Sequence, residues 1–190
     1  MTRARALAIG GIAATAIALG WLLFVALPRW YSAARANRPA SAQSEPAAPI
    51  RKIKARLFYV SEDGTRLAGV ERDVPYAEGP AEQAREIVAA QVAPVAEPLL
   101  SAVPPGTTLR GLFITDRGDA YVDLSHEVVA AHTGGTLDEL LTVYTIVNAL
   151  AVNLPAVTTV QLLVDGKELP TLSGHVDLRQ GLAKNLAWIQ

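Results

Sequence analysis

Residues 134–154 read GGTLDELLTVYTIVNALAVNL, and no charged side chain follows Glu139. Thr136 and Glu139 have capping-box spacing, and Gly134-Gly135 just before them marks a turn, so a helix is expected to open there and run to Leu154. A surface helix carries a polar stripe opposite its apolar one. This segment has no such stripe, so it must lie against a sheet, or between a sheet and a partner. Asn148 is the strongly polar side chain inside it. Burying its amide unpaired would cost roughly 1–3 kcal/mol. Asn148 is therefore expected either to bond a nearby loop backbone, for which the Pro104–Thr107 segment is the candidate, or to meet a ligand or partner.

Strand signals flank this helix on both sides. Upstream, Ile53–Val60 and Arg66–Val74 read as two strands around a turn at Asp63-Gly64. Residues 80–92 (PAEQAREIVAAQV) have Pro at a first helical position, early acids and apolar groups at Ala84, Ile87, Val88 and Val92. They read as an amphipathic helix that ends at Pro94. Residues 94–109 contain Pro94, Pro98, Pro104 and Pro105, which forbid a regular helix or central strand and point to an ordered loop or rigid cover. Leu109–Thr115 and Ala120–Leu124 flank Asp116-Arg117-Gly118-Asp119 as a second hairpin. Beyond the apolar helix, Val157–Val164 is a strong strand, Asp165-Gly166 a turn and Lys167–Leu172 a returning strand. Leu182–Ile189 reads as a short packing helix. The order β-β-α-β-β-α-β-β implies a single α+β domain over residues 51–190, with its helices packed on one antiparallel or mixed sheet.

Residues 6–27 read ALAIGGIAATAIALGWLLFVAL, without a charge. At ~1.5 Å per residue such a helix matches a ~30 Å hydrocarbon core, so a transmembrane helix is expected there. Arg3 and Arg5 precede it, while Trp21, Trp30 and Tyr31 cluster toward its far end. The expected plan is a short cytoplasmic N-terminus (1–5), the span (6–27), an Ala/Ser/Pro-rich tether (28–50) and an extracytoplasmic domain (51–190). The alternative is a cleaved signal peptide, for which Ser32-Ala33-Ala34 or Ala34-Arg35-Ala36 would serve as the cleavage site.

Charge divides along the same line. Residues 1–50 hold five Arg and one acid, a net +4; the remainder is −5. An acidic body argues against nucleic-acid binding, which rests on basic patches that neutralise phosphates. With no Cys in the chain, a disulfide framework, a thiol nucleophile, a Cys-based zinc site and a lipid-attachment Cys are all excluded. His126 and His132 are spaced to fall on different faces of a helix, and His175 is remote, so no metal site is expected. Asp116 and Asp119 fall in a turn, where Asp bonds local backbone. No nucleophile elbow, phosphate loop or dinucleotide fingerprint occurs, so neither catalysis nor a cofactor is expected. Asp123 and Ser125 are expected to cap the irregular stretch after the second hairpin or to touch a ligand. Trp188 is expected to pack at the C-terminus or to dock a partner.

Several of these landmarks occur together in a known order. Leu57-Phe58-Tyr59 with Asp63-Gly64, Leu99 through Thr107, Gly118 through Ser125, Ile146 through Leu150, and Val160 through Gly166 together make residues 55–178 resemble the GerMN domain family of sporulation and spore germination proteins. The resemblance implies an extracytoplasmic, membrane-tethered module of the bacterial cell envelope without established catalysis. It also implies departures here: Ala90-Gln91-Val92-Ala93-Pro94 replaces a Leu-Leu-x-Gly-Pro corner, only one copy of the domain is present, and an anchor helix stands in for a lipidated Cys. The expected function is a protein-interaction or assembly module at the cytoplasmic membrane, binding an envelope protein or itself. The alternative is a sensor that binds a small molecule or peptidoglycan fragment between the Pro-rich loop and the Asp116–Asp119 hairpin. Asn148, Asp123, Ser125 and Trp188 are the candidate contact residues.

Overall fold

A computed structural model describes residues 51–190 and, of the chain before them, Trp21 alone. The expected N-terminus 1–5, span 6–27 and tether 28–50 lie, Trp21 apart, outside the described residues. Among the described residues no helix is long and apolar enough to cross a membrane.

Strands β1 (Lys52–Val60) and β2 (Leu67–Pro75) pair antiparallel from Lys52↔Pro75 to Val60↔Leu67. The turn between them is organised by Asp63, whose carboxylate accepts from Ser61 Oγ, Thr65 N–H and Thr65 Oγ1 and is held at about 2 by those bonds. Helix α1 (Pro80–Val92) starts after Gly79, which lies at φ 89, with Pro80 in its first turn. Strands β3 (Leu109–Ile114) and β4 (Asp119–Leu124) form the second hairpin. After a single turn, α2 (Glu127–Ala130), comes the long helix α3 (Thr136–Asn153), which returns the chain to β5 (Thr159–Val164), parallel to β4. Asp165 and Gly166, both at positive φ, then turn the chain into β6 (Lys167–Glu168). The remaining chain is irregular except for a 3₁₀ turn, Leu186–Trp188, where a packing helix was expected.

One expectation is corrected by the strand pairing. The helices do not pack on one sheet, because the strands form two: β1-β2, and a mixed sheet ordered β3-β4-β5-β6. The apolar residues of α3 divide between two cores. Val143, Ile146, Val147 and Leu150 join Leu112, Val122 and Leu162 of the four-stranded sheet, whereas Leu141 and Ala149 join Leu57, Phe58 and Tyr59 of the β1–β2 hairpin. Helix α1 divides in the same way, with Ala84 and Val88 in the first core and Ile87 in the second. The helix layer is therefore buried from two sides, and this is why α3 can be apolar almost all round.

Among the described residues no third strand flanks β1, yet its outer edge is paired at Arg56, Phe58 and Val60. Phe58 N–H donates to Gln91 Oε1 and Gln91 Nε2 donates to Phe58 O, both at 2.8 Å. Asn153 repeats the arrangement on Arg56, again at 2.8 Å in both directions, and Val60 N–H donates to Leu100 O. A carboxamide has the donor and acceptor of a peptide unit, so α1 and α3 each supply one residue's worth of ladder.

Buried polar groups also tie down the C-terminal segment. Asn148 is fully buried and bonds Asn185 in both directions, accepting its N–H at 2.9 Å and donating to its carbonyl at 3.0 Å. A loop backbone was the expected partner, but it is this one and not Pro104–Thr107. Nor do Thr136 and Glu139 form a capping box: Gly135 is the residue that precedes α3, and no side chain caps it. Glu139 is instead buried, accepting N–H bonds from Leu172, Ser173 and His175 at 2.8–3.0 Å and lying 3.1 Å from His175 Nδ1. Burial alone would raise its carboxyl, but the N–H groups of Ser173, His175, Leu172 and Val176 outweigh burial and hold it below its ordinary value.

Removing Gln91 leaves both polar groups of Phe58 unpaired in the core, so Gln91→Leu is expected to cost about 2–5 kcal/mol in denaturant unfolding. Asn153→Ala, at the more exposed end of β1, is expected to cost about 1 kcal/mol. Thr145 Oγ1 is buried without a partner; Thr145→Val, which keeps the shape and removes the hydroxyl, is expected to gain about 1 kcal/mol. The lowered Glu139 carboxyl stabilises the fold above its unfolded pKa, and this contribution is lost as pH falls through the folded value. Glu139→Gln is therefore expected to cost about 3 kcal/mol at neutral pH and to flatten the fall in stability below about pH 5, as read from urea midpoints across pH.

Candidate functional site

The Pro-rich stretch between α1 and β3 forms a ridge pinned at points along its length. Leu100 O takes the N–H of Val60, and Ala102 O takes the hydroxyl of Thr142 at 2.6 Å. Ser101 Oγ accepts Val103 N–H at 3.1 Å, and Pro104 O accepts Thr107 Oγ1 at 2.7 Å. At its foot the ridge meets Ser125, whose Oγ accepts Thr108 N–H at 3.0 Å while its own N–H donates to Thr108 O. Proline at four positions removes backbone freedom that would otherwise have to be frozen, so a chain without regular structure is held in one shape.

A cleft lies on each side of this ridge, and Leu100, Ser101, Val103, Pro104 and Pro105 line both. One, about 430 Å³, continues along Val92, Pro94, Val95 and Leu99 and has no charged residue in its lining. The other, about 300 Å³, is closed by Val60, Leu141, Thr142, His132 and Asp138. His132 Nδ1 accepts the N–H of Gly134 at 2.9 Å, and its Nε2 lies 3.4 Å from Thr142 Oγ1. Asp138 Oδ2 accepts from Thr133 Oγ1 at 3.2 Å and makes no ion pair among the described residues. Between the clefts stands Leu100, 63% exposed, an apolar side chain on a fixed backbone.

None of the four sequence candidates lines either cleft, and the structure does not bring them together. Asn148 is occupied by Asn185. Asp123 accepts Gly166 N–H at 2.7 Å and lies 3.4 Å from Arg110 Nε, joining β4 to the β5–β6 turn. Ser125 anchors the ridge, and its hydroxyl holds the carboxyl of Glu127 below the ordinary range. Trp188 sits half-buried in the C-terminal 3₁₀ turn. The Asp116–Asp119 hairpin is not part of either cleft; Asp119 accepts from Thr115 Oγ1 and Thr159 Oγ1. His126, His132 and His175 stay apart, and among the described residues no group of three or more side chains is placed to hold a metal. The residues that sequence reasoning missed are Leu100, His132 and Asp138. The density of Pro marked the ridge, but Leu100 looks like any core Leu, and Asp138 like any acid in a first helical turn.

Comparison with curated proteins returned no match. Among solved structures, one of a protein described as a lipoprotein from Clostridium perfringens superposes with a TM-score of 0.50 at 20% identity, covering 72% of this chain and 90% of that one. The tandem GerMN domains of the sporulation protein GerM from Bacillus subtilis superpose with a TM-score of 0.54 at 17% identity, covering 70% of this chain and 46% of that one. At such identities the likeness is one of fold. The sequence model of the Germane family, described as sporulation and spore germination, matches residues 56–170, which run from β1 to just past β6 and take in the whole ridge. The chain therefore belongs to the Germane family, whose fold is the GerMN domain.

Proposed function

We propose that the protein is a membrane-anchored, non-enzymatic component of the bacterial cell envelope, in which the apolar segment 6–27 holds an extracytoplasmic GerMN domain that binds another protein through the Leu99–Pro105 ridge. One observation carries this reading: Leu100 is exposed on a backbone fixed by its neighbours, between two clefts that can receive side chains. An exposed apolar side chain on a backbone that is already held loses no backbone entropy on docking, which favours it as one of the few residues that dominate an interface. The uncharged run 6–27 behind Arg3 and Arg5 supports the anchor, and the likeness to a protein described as a lipoprotein agrees with a membrane location. Family membership supports a role related to sporulation, germination or the envelope. A tether of residues 28–50 would keep the domain close to the membrane, where it meets partners at a raised effective concentration.

The second reading, a sensor for a small molecule or peptidoglycan fragment, is favoured by the clefts themselves, since ~300–1,000 Å³ is the usual range of ligand pockets. The two readings differ in what Leu100 does. For the first, Leu100→Asp in the full-length protein is expected to leave the unfolding midpoint unchanged and to abolish both concentration-dependent assembly in light scattering and cross-linking to a specific envelope protein. A Leu100→Asp variant that assembles and cross-links like the wild type would end the ridge proposal.

A further inference from the structure

The two clefts differ in one respect that bears on what crosses the ridge: Asp138 is the only acidic residue in the lining of either, and neither is lined by Lys or Arg. Its carboxylate has a hydroxyl neighbour and no ion-pair partner among the described residues, so its charge is uncompensated at the mouth of the smaller cleft. The N-terminus of α3 adds a partial positive charge of roughly one half. A full negative charge on Asp138 exceeds it, and the second first-turn acid, Glu139, is already consumed by the 172–175 loop. The smaller cleft therefore sets a carboxylate beside apolar surface from Val60, Val103 and Leu141, whereas the larger cleft is uncharged, with Ser101, Thr107 and Thr108 in an otherwise apolar lining.

We infer that the ridge recognises an extended peptide segment of a partner protein that places an aliphatic side chain in the larger cleft and a lysine side chain in the smaller. This rests on the ridge being the binding surface. Lysine suits the smaller cleft because its alkyl stem covers apolar surface while the ammonium reaches the carboxylate at the rim. An extended chain lying along the ridge sends successive side chains to opposite sides, so one short segment can fill both clefts with Leu100 between them. A partner bearing Glu at the same place would meet Asp138 as a like charge and be rejected.

The probe is a set of fluorescein-labelled peptides with a single Leu and, at varied spacing from it, a Lys, Gln or Glu. Their binding to the full-length protein in maltoside micelles is read by fluorescence anisotropy. The best Leu/Lys peptide is expected to bind about fivefold more tightly than its Gln counterpart, as one partly exposed ion pair allows, and to lose that advantage in high salt. Asp138→Asn is expected to abolish the preference for Lys and leave the dependence on Leu intact; Leu100→Asp is expected to abolish binding of every peptide. Equal binding of Lys and Glu peptides, or an undiminished Lys preference in Asp138→Asn, would overturn the inference. So would n-butylammonium competing as well as the whole peptide, since the ligand would then be a small amine. If Leu100→Asp still removes partner cross-linking while no peptide prefers Lys, the charge argument fails and the ridge stands. If Leu100→Asp changes neither readout, the ridge itself is wrong.

Discussion

Gln91 and Asn153 offer β1 what a neighbouring strand would offer, one donor and one acceptor each, at Phe58 and at Arg56, and much of the architecture depends on that substitution. A two-stranded hairpin has little stability of its own. Here its exposed edge is bonded by side chains from the helices that supply its core, so the hairpin is attached by directional bonds as well as by apolar contact. The helices in turn can be apolar on opposite faces because a sheet lies on each side of them. Arg85 does similar work at the other end of the layer, reaching from α1 to the carbonyl of Leu112 in β3 at 2.5 Å. Backbone groups that would otherwise face water or a foreign strand are thus answered from within the helix layer.

How far the fold can be read from sequence follows from which forces are local. The uncharged run after Glu139 identified a helix buried on all sides, and the hairpins around 61–66 and 115–118 were visible as turn residues between apolar runs. The partition into two sheets was not, because nothing in the alternation of a strand names its partner. Gln91 read as an ordinary polar position on an amphipathic helix, although it is fully buried. Its role depends on a strand 33 residues earlier in the chain. Glu139 misled in the opposite way: its spacing from Thr136 fits a local cap, but the loop at 172–175 offers its carboxylate several N–H groups and wins over a single capping bond.

The ridge was legible as an irregular, Pro-rich segment, and the two clefts were not. Clefts are made by what lies opposite, in this case the turn before α3 and the end of β1, which come together only through the tertiary fold. Asn148 stood out as polar within apolar surroundings, a pattern that selects buried side chains with structural bonds, and it is one of these. Asp123 and Ser125 stood out through the family resemblance, and they too are taken up by structural bonds. The residues that face the clefts are of ordinary type in ordinary context, and only their exposure sets them apart.

Asn148 and Glu139 have a further consequence for how the domain closes. Both sit on α3, and both are satisfied only by residues 172–185, near the end of the chain. Val160 likewise finds its second backbone partner in Leu182, and Leu67 in Gln190. In any state where the helix layer and both sheets have formed but residues 172–185 have not docked, the central helix carries a carboxylate and an amide without partners. The segment therefore acts as a clasp, whose release would leave an almost complete domain that does not lock.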